Sequence, residues 1–417
     1  MSKRLIIRGG RPLRGDVAVS GSKNAALYAI AAALLTADTV TIRNAPEIAD
    51  IGEMVDVCRS LGADVELDGT TVSIRAAEFT ATSPPIERVI ALRASFLVMG
   101  PLLARVGEAA CASPGGDVIG VRPLDVHLAG FRALGAEVSR AGAEWAARAT
   151  TLHGARIFLD YPSVLGTVNV MFAASLAPGT TTIVNAAAEP EVAMAADMLN
   201  QMGARVSGHG TAMMTIEGVH RLHGADVTVV PDRIETGTYL LAGVATGGDL
   251  RVTNAVRADL DSLLTKFSEM GVAVDLDEGP GVRVACPHPL KPVQVQSVPY
   301  PGFPTDLHAP MAAALTQANG VSTIHERVFD NRTAYVAELR SMGARIMTGG
   351  QMVLIEGPTP LVGAAVRALD IRAGAAVVIA ALAAEGETHV SGIDHLDRGY
   401  AHLAQRLTAL GAAVERA

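Results

Sequence analysis

A chain of 417 residues is too long for one ordinary hydrophobic core, so two domains are expected before any motif is considered. Apolar residues make up 49% of it, yet apolar stretches such as Ala373 to Glu385 break off well short of the ~18 residues a membrane span needs. A net charge of −8 argues against a general nucleic-acid surface. The Leu5-Ile6-Ile7 run is too short for a secretory signal, and Cys58, Cys111 and Cys286 are scattered, with no CxxC. A cytoplasmic protein with reduced thiols, no membrane partner and no nucleic-acid partner is expected.

In chain order, Gly21-Ser22-Lys23-Asn24-Ala25-Ala26-Leu27 is a polar lead into a small-residue helix. Leu61-Gly62-Ala63 then closes an amphipathic stretch and passes into the alternating Asp64-Val65-Glu66-Leu67, which reads as helix, glycine cap, strand. This pair of signals recurs. Leu92 to Ser95 is followed by Leu134-Gly135-Ala136, Ser163 to Thr167 by Met202-Gly203-Ala204, and Asp232 to Gly237 by Met270-Gly271-Val272. Phe303 to Asp306 is followed by Met342-Gly343-Ala344, and Asp370 to Gly374 by Leu410-Gly411-Ala412. Successive cap glycines lie 73, 68, 68, 72 and 68 residues apart, which gives six α/β units, three to a domain. The small-residue helices should be buried, and their polar leading ends make anion sites.

Lys23, Arg93, Arg122, Arg332, Arg372 and Arg398 stand in short polar islands between apolar segments. Taken singly, each reads as a salt bridge or a solvated turn. Recurrence near helix starts favours phosphate and carboxylate binding, which needs Arg forks and Lys point charges held in fixed positions. Ser113 to Pro123 carries three glycines and two prolines around Asp117, the pattern of a loop able to fold over a ligand or of a plain turn. Asp306 opens a helix, so it is either an N-cap or a carboxylate kept ionised by cations and able to act as a base. His127 and His308 lack metal-ligand spacing and read as ordinary polar residues or minor ligand contacts; no metal site and no cofactor is expected.

These segments, together with Glu189-Pro190-Glu191, Asn331-Arg332 and Asp397-Arg398-Gly399-Tyr400, give the chain its likeness to a known family. It resembles, end to end, the UDP-N-acetylglucosamine 1-carboxyvinyltransferases, the enolpyruvyl transferases that open peptidoglycan synthesis. The resemblance implies a two-domain inside-out α/β barrel with three βα repeats per domain: 22–229, and 1–21 plus 230–417. It implies phosphoenolpyruvate and a uridine nucleotide sugar as substrates, and leaves the oligomeric state open. Lys23, Arg122 and Arg398 then correspond to the phosphoenolpyruvate grip, helped by Arg332 and Arg372. Asn24, Arg93, Asp306 and the Val328 backbone correspond to sugar contacts. Arg122, Pro123, Leu124, Asp125 and Val126, with Tyr161, Pro162, Ser163 and Val164, correspond to the uridine diphosphate cradle. Lys23, Asp117, Asp306 and Arg398 are the implied catalytic set.

Three positions depart from the family. Asp117 stands where many members have Cys, Leu165 where Gly is usual beside the diphosphate, and Ala188 where Arg is usual. An Asp can still serve as an acid. Leu165 and Ala188 keep open an enolpyruvyl transferase acting on another uridine nucleotide, such as uridine monophosphate in nucleoside-antibiotic synthesis. A silent nucleotide-binding paralogue is the non-enzyme alternative, and retention of Lys23, Asp306 and Arg398 argues against it. No segment resembles the Gly-Asn-Ala-Gly-Thr motif of the shikimate branch.

Overall fold

A computed structural model describes residues 3–117, 119–120, 122–275, 281–286 and 289–417. Two compact units emerge. The first comprises 1–20, 117–121 and 231–417, and the second comprises 21–116 and 122–230.

Among the described residues the first unit contains three four-stranded sheets, and the second contains two four-stranded sheets and one of three strands. The four-stranded sheets share one plan, a parallel pair at one side continued by two antiparallel pairings. In the second unit Asp226–Thr228 runs parallel to Val40–Arg43, which pairs antiparallel with Thr71–Arg75 and so with Asp64–Asp68. The same order is seen for Arg156–Phe158, Thr180–Val184, Met213–Glu217 and Arg205–Ser207. In the first unit the N-terminal strands fill places that the repeat needs. Arg14–Val17 is the parallel partner of Asp249–Val252, while Arg4–Arg8 lies between Glu387–Ser391 and Ala413–Arg416. The start of the chain is thereby hydrogen-bonded into the unit formed mainly by its C-terminal half.

The inner layer of each unit is helical because its helices are apolar all round. Ile371–Ala383 (IRAGAAVVIAALA) is buried from Ile371 to Leu382, and Arg233–Ala245 and His308–Leu315 are as thoroughly covered. Lys23–Ala32, Met99–Val106 and Val164–Ser175 are the corresponding helices of the second unit, although Met99–Val106 is buried only from Met99 to Leu103 and ends on an exposed Val106. A helix without a polar face is stable only when surrounded. Small residues allow close approach: a Cβ on Gly237 would lie 2.4 Å from Leu307 Cδ1. The amphipathic helices lie outside these, and the glycines that end them, Gly62, Gly135, Gly203, Gly271, Gly343 and Gly411, all have positive φ between 81° and 101°, as the repeated phrase predicts. No helix among the described residues is long and apolar enough to cross a membrane.

Candidate active site

In the first unit the polar leads become helix starts that carry charge. Asp370 caps Ile371–Ala383 by accepting from the amides of Arg372 and Ala373, each at 2.8 Å, and so sets Arg372 at the helix mouth. Asp232 caps Arg233–Ala245 in the same way, through Ile234 and Glu235. Asp306 lies in the short turn Thr305–Leu307 and does not cap a helix with its side chain. Its Oδ1 accepts from Arg332 Nη2 at 2.7 Å, and its Oδ2 accepts from Arg372 Nε at 3.1 Å and Nη2 at 2.9 Å. The arginine side chains are buried, whereas Asp306 keeps 26% of its own exposed. Burial works against its charge, but Arg372 and then Arg332 outweigh this and hold the carboxyl well below the usual carboxylate range. It is an ionised group held by side chains from two distant stretches of sequence.

The far side of Arg372 is also fixed. Its Nη1 donates to Tyr400 Oη at 3.0 Å. Thr238 gives its hydroxyl proton to the Ile234 carbonyl, so the 3.1 Å contact between Thr238 and Tyr400 has Tyr400 as donor. Tyr400 therefore accepts from Arg372 and donates to Thr238, which settles the direction of every proton in the chain. Arg398 Nη1 donates to Asp117 Oδ1 at 3.0 Å, joining two residues of the expected catalytic set.

The second unit holds Lys23 as the first residue of Lys23–Ala32, with Nζ 2.6 Å from Asp50 Oδ2. With the lysine side chain 11% and the aspartate 2% exposed, this is a buried ion pair, and losing one partner of such a pair costs about 3–5 kcal/mol. Asn24 follows on the same first turn. Arg93 reaches across the 113–124 segment, donating from Nη2 to the Arg122 carbonyl and from Nη1 to the Pro114 carbonyl at 3.4 Å. Burial, and then the charge of Arg122, lowers the Arg93 pKa to about 10. Gly116 has φ of +102°, and a Cβ there would sit 3.2 Å from Arg122 Nη2, so the loop passes closely over both arginines. Val118 and Val121 of this loop lie outside the described residues.

A cavity of about 440 Å³ opens beside this loop, with Arg93, Arg122, Pro123, Leu124 and Asp125 in its wall. That volume suits a drug-sized ligand. The other segment expected to cradle the uridine diphosphate lies close by: Ser163 Oγ caps Val164–Ser175 through the Gly166 amide at 3.2 Å, and a Cβ on Gly166 would meet Val126 Cγ1 at 2.6 Å. Tyr161 and Pro162 lead directly into this cap, and the Tyr161 carbonyl accepts from the Ser163 amide at 2.7 Å.

The family model described as EPSP synthase (3-phosphoshikimate 1-carboxyvinyltransferase) matches residues 7–407. The chain belongs to this carboxyvinyltransferase family. It is 48% identical, over 99% of its length and 94% of the relative's, to a protein of Halalkalibacterium halodurans named UDP-N-acetylglucosamine 1-carboxyvinyltransferase 1. It is 47% identical, over 99% of both chains, to UDP-N-acetylglucosamine 1-carboxyvinyltransferase 2 of Carboxydothermus hydrogenoformans. Among solved structures, the enolpyruvyl transferase NikO from Streptomyces tendae superposes with a TM-score of 0.90 at 28% identity, covering 100% of this chain and 99% of NikO. EPSP synthase from Acinetobacter baumannii shares the fold, with a TM-score of 0.76 at 15% identity and full coverage of both chains.

Within this carboxyvinyltransferase, sequence reasoning missed several groups that hold the expected ones. Tyr400 and Asp232 lay in quoted motifs without a role. Asp50 gave no signal, because a lone acid on an amphipathic helix reads as solvated. Both histidines turn out to be core residues. His127 is buried against Asn169 at 3.1 Å, and burial followed by the Arg93 charge lowers its pKa to about 3. His308 donates from Nδ1 to Glu326 Oε2 at 2.8 Å; burial keeps the imidazole neutral, while its hydrogen bond helps hold Glu326 ionised against burial.

Proposed function

We propose that this enzyme transfers the enolpyruvyl group of phosphoenolpyruvate to the 3-hydroxyl of UDP-N-acetylglucosamine, releasing phosphate, as the first step of peptidoglycan precursor synthesis. The naming of full-length relatives supports the substrate pair. The observation that carries the chemistry is the Asp306 carboxylate held between Arg332 and Arg372. In that state it is a weak base, since two cations stabilise its charge. An anionic substrate that draws on the same guanidiniums loosens their hold and raises the basicity of Asp306 when both reactants are bound.

The acceptor oxygen then attacks C2 of phosphoenolpyruvate and its proton passes to Asp306, while C3 takes a proton from an acid, the role assigned to Asp117. The resulting tetrahedral ketal breaks its C2–O bond to phosphate and loses a proton from C3, which restores the double bond. Lys23, Arg122 and Arg398 are assigned to the phosphoenolpyruvate anion, where preorganised cations stabilise developing charge by several kcal/mol. Asn24, Arg93 and the Val328 backbone are assigned to the sugar. The segments Arg122 to Val126 and Tyr161 to Val164 are assigned to the uridine diphosphate. We take the domains as 22–229 and 1–21 plus 230–417, which follow the two compact units except that 117–121 groups with the first unit, and place the enzyme in the cytoplasm. Phosphate release measured with phosphoenolpyruvate and UDP-N-acetylglucosamine tests the reading; turnover with uridine monophosphate and none with the nucleotide sugar refutes it.

A further inference from the structure

Behind the Asp306 cluster lies a second carboxylate that the reaction scheme does not use. Glu326 ends the strand Gly320–Glu326, and its side chain is 1% exposed. Each oxygen serves a different neighbour. Oε1 accepts from the main-chain amides of Val328 at 2.8 Å and Phe329 at 3.1 Å. Oε2 accepts from Thr305 Oγ1 at 2.9 Å and His308 Nδ1 at 2.8 Å. Because Thr305 spends its proton on Glu326, its oxygen can only accept from Arg332 Nη1, at 3.1 Å. The same guanidinium donates through Nη2 to Asp306.

We propose that Glu326 is a positioning residue for the transfer, acting through Thr305 on the Arg332–Asp306 pair and, through its other oxygen, on the main chain at Val328. This rests on the reading of Asp306 as the proton acceptor. A buried carboxylate costs much desolvation and is retained only when its bonds satisfy it; here four donors do so, one of them the hydroxyl that also meets Arg332. Without the Glu326 acceptor, the Thr305 hydroxyl turns and meets Arg332 with its proton, and the fork holding Asp306 loses one of its two rests. Displacements of about 1 Å in such a set cost on the order of 100-fold in rate.

The test measures phosphate release for Glu326→Gln, Thr305→Val, their double variant and Glu326→Ala, with Asp306→Asn as reference and thermal melts as the check of folding. A glutamine that keeps its carbonyl toward the Val328 and Phe329 amides turns its amino group on Thr305. Glu326→Gln and Thr305→Val should each lower kcat by about 10- to 100-fold with the acceptor KM within about threefold, and the double variant should lose little more than either single one. Glu326→Ala should in addition raise the acceptor KM by about tenfold or more. Wild-type kcat in Glu326→Gln beside an inactive Asp306→Asn overturns the proposal alone, and so do losses that multiply in the double variant. Wild-type kcat in Asp306→Asn overturns the reading beneath it. If Glu326→Gln does not fold, Thr305→Val decides, and a kcat within twofold of the parent sinks the proposal.

Discussion

Asp306→Asn changes one atom and one charge at a point where three hydrogen bonds from two buried guanidiniums meet. An amide offers a single acceptor oxygen. Placed toward Arg372 it leaves its NH2 facing Arg332 Nη2, donor against donor, and both arginines lose their counter-charge. Breaking a buried ion pair from one side costs about 3–5 kcal/mol; with Asp306 26% exposed, the lower end, about 3 kcal/mol, is expected. Thermal or urea unfolding reads that loss. Turnover should fall by about 10²- to 10⁴-fold, because the amide cannot take the acceptor proton. Phosphoenolpyruvate should bind at least as tightly as to the parent enzyme, since the internal anion no longer competes for Arg332 and Arg372. Calorimetric binding and phosphate release, measured on the same preparation, separate the effects. Turnover within threefold of the parent refutes Asp306 as the base, and markedly weaker phosphoenolpyruvate binding refutes the competition between carboxylate and substrate.

Asp117→Asn should lower kcat far more than it changes the acceptor KM, because the amide keeps the contact with Arg398 but cannot supply a proton; equal loss in both parameters counts against the acid role. Fosfomycin, an epoxide that acts on the loop cysteine of other family members, should leave the mass of this protein unchanged and form an adduct with Asp117→Cys; an adduct on the parent loop contradicts the expectation. Glu235 is pushed up to about 7 by burial, against the pull of Arg406 and with the help of Asp232. Because the folded-state value lies above the ordinary one, stability should fall as pH rises from about 4.5 to about 7, even though Arg406 Nη1 stands 2.6 Å from the carboxyl. Glu235→Gln should flatten urea-unfolding free energies over that window, and an unchanged slope would disprove the account. Side by side, UDP-N-acetylglucosamine should support rapid phosphate release and uridine monophosphate little or none, with the reverse order favouring the nucleoside-modifying alternative.

The repeat was legible in the sequence because its signals are local. A glycine that must take positive φ to end a helix leaves the same phrase six times, and a helix surrounded on all sides must be apolar all round, as Ile371–Ala383 is. The bases of the candidate site were legible for a related reason: Arg372 and Lys23 stand at helix starts that small apolar residues isolate. What holds them was not. Arg332 and Arg372 meet one carboxylate from positions 26 and 66 residues away, and no spacing rule encodes such a meeting. Asp306, offered by its context as a helix cap, is claimed instead by those arginines. Glu326 and Asp50 are single acids in ordinary surroundings, and only the fold reveals that they are buried. The N-terminal strands carry no local signal of their partners, and only the family resemblance joined 1–21 to 230–417, since Arg4–Arg8 pairs at the opposite end of the chain.

The departures at Leu165 and Ala188 bear on the acceptor through main-chain geometry more than through side-chain charge. A diphosphate at the start of Val164–Ser175 is held by first-turn amides, and what matters is which of them the protein already uses. Ser163 Oγ takes the Gly166 amide and the Ser163 carbonyl takes that of Thr167, so the two amides ahead of them, at Val164 and Leu165, are the ones the turn offers. An added side chain is excluded at 166, where a Cβ would sit 2.6 Å from Val126, and tolerated at 165, which is half-buried. The branched residue thus occupies the position of this turn that can carry it, and the helix start keeps its amides. Ala188 lies next to Ala187, whose amide donates to Thr167 Oγ1 at 3.0 Å, so losing a cation there leaves the segment tied to the same helix. Leu165 thus adds bulk where the turn has room and Ala188 removes a cation without loosening the segment, so neither change takes the Val164 and Leu165 amides from a nucleotide sugar, the acceptor we propose.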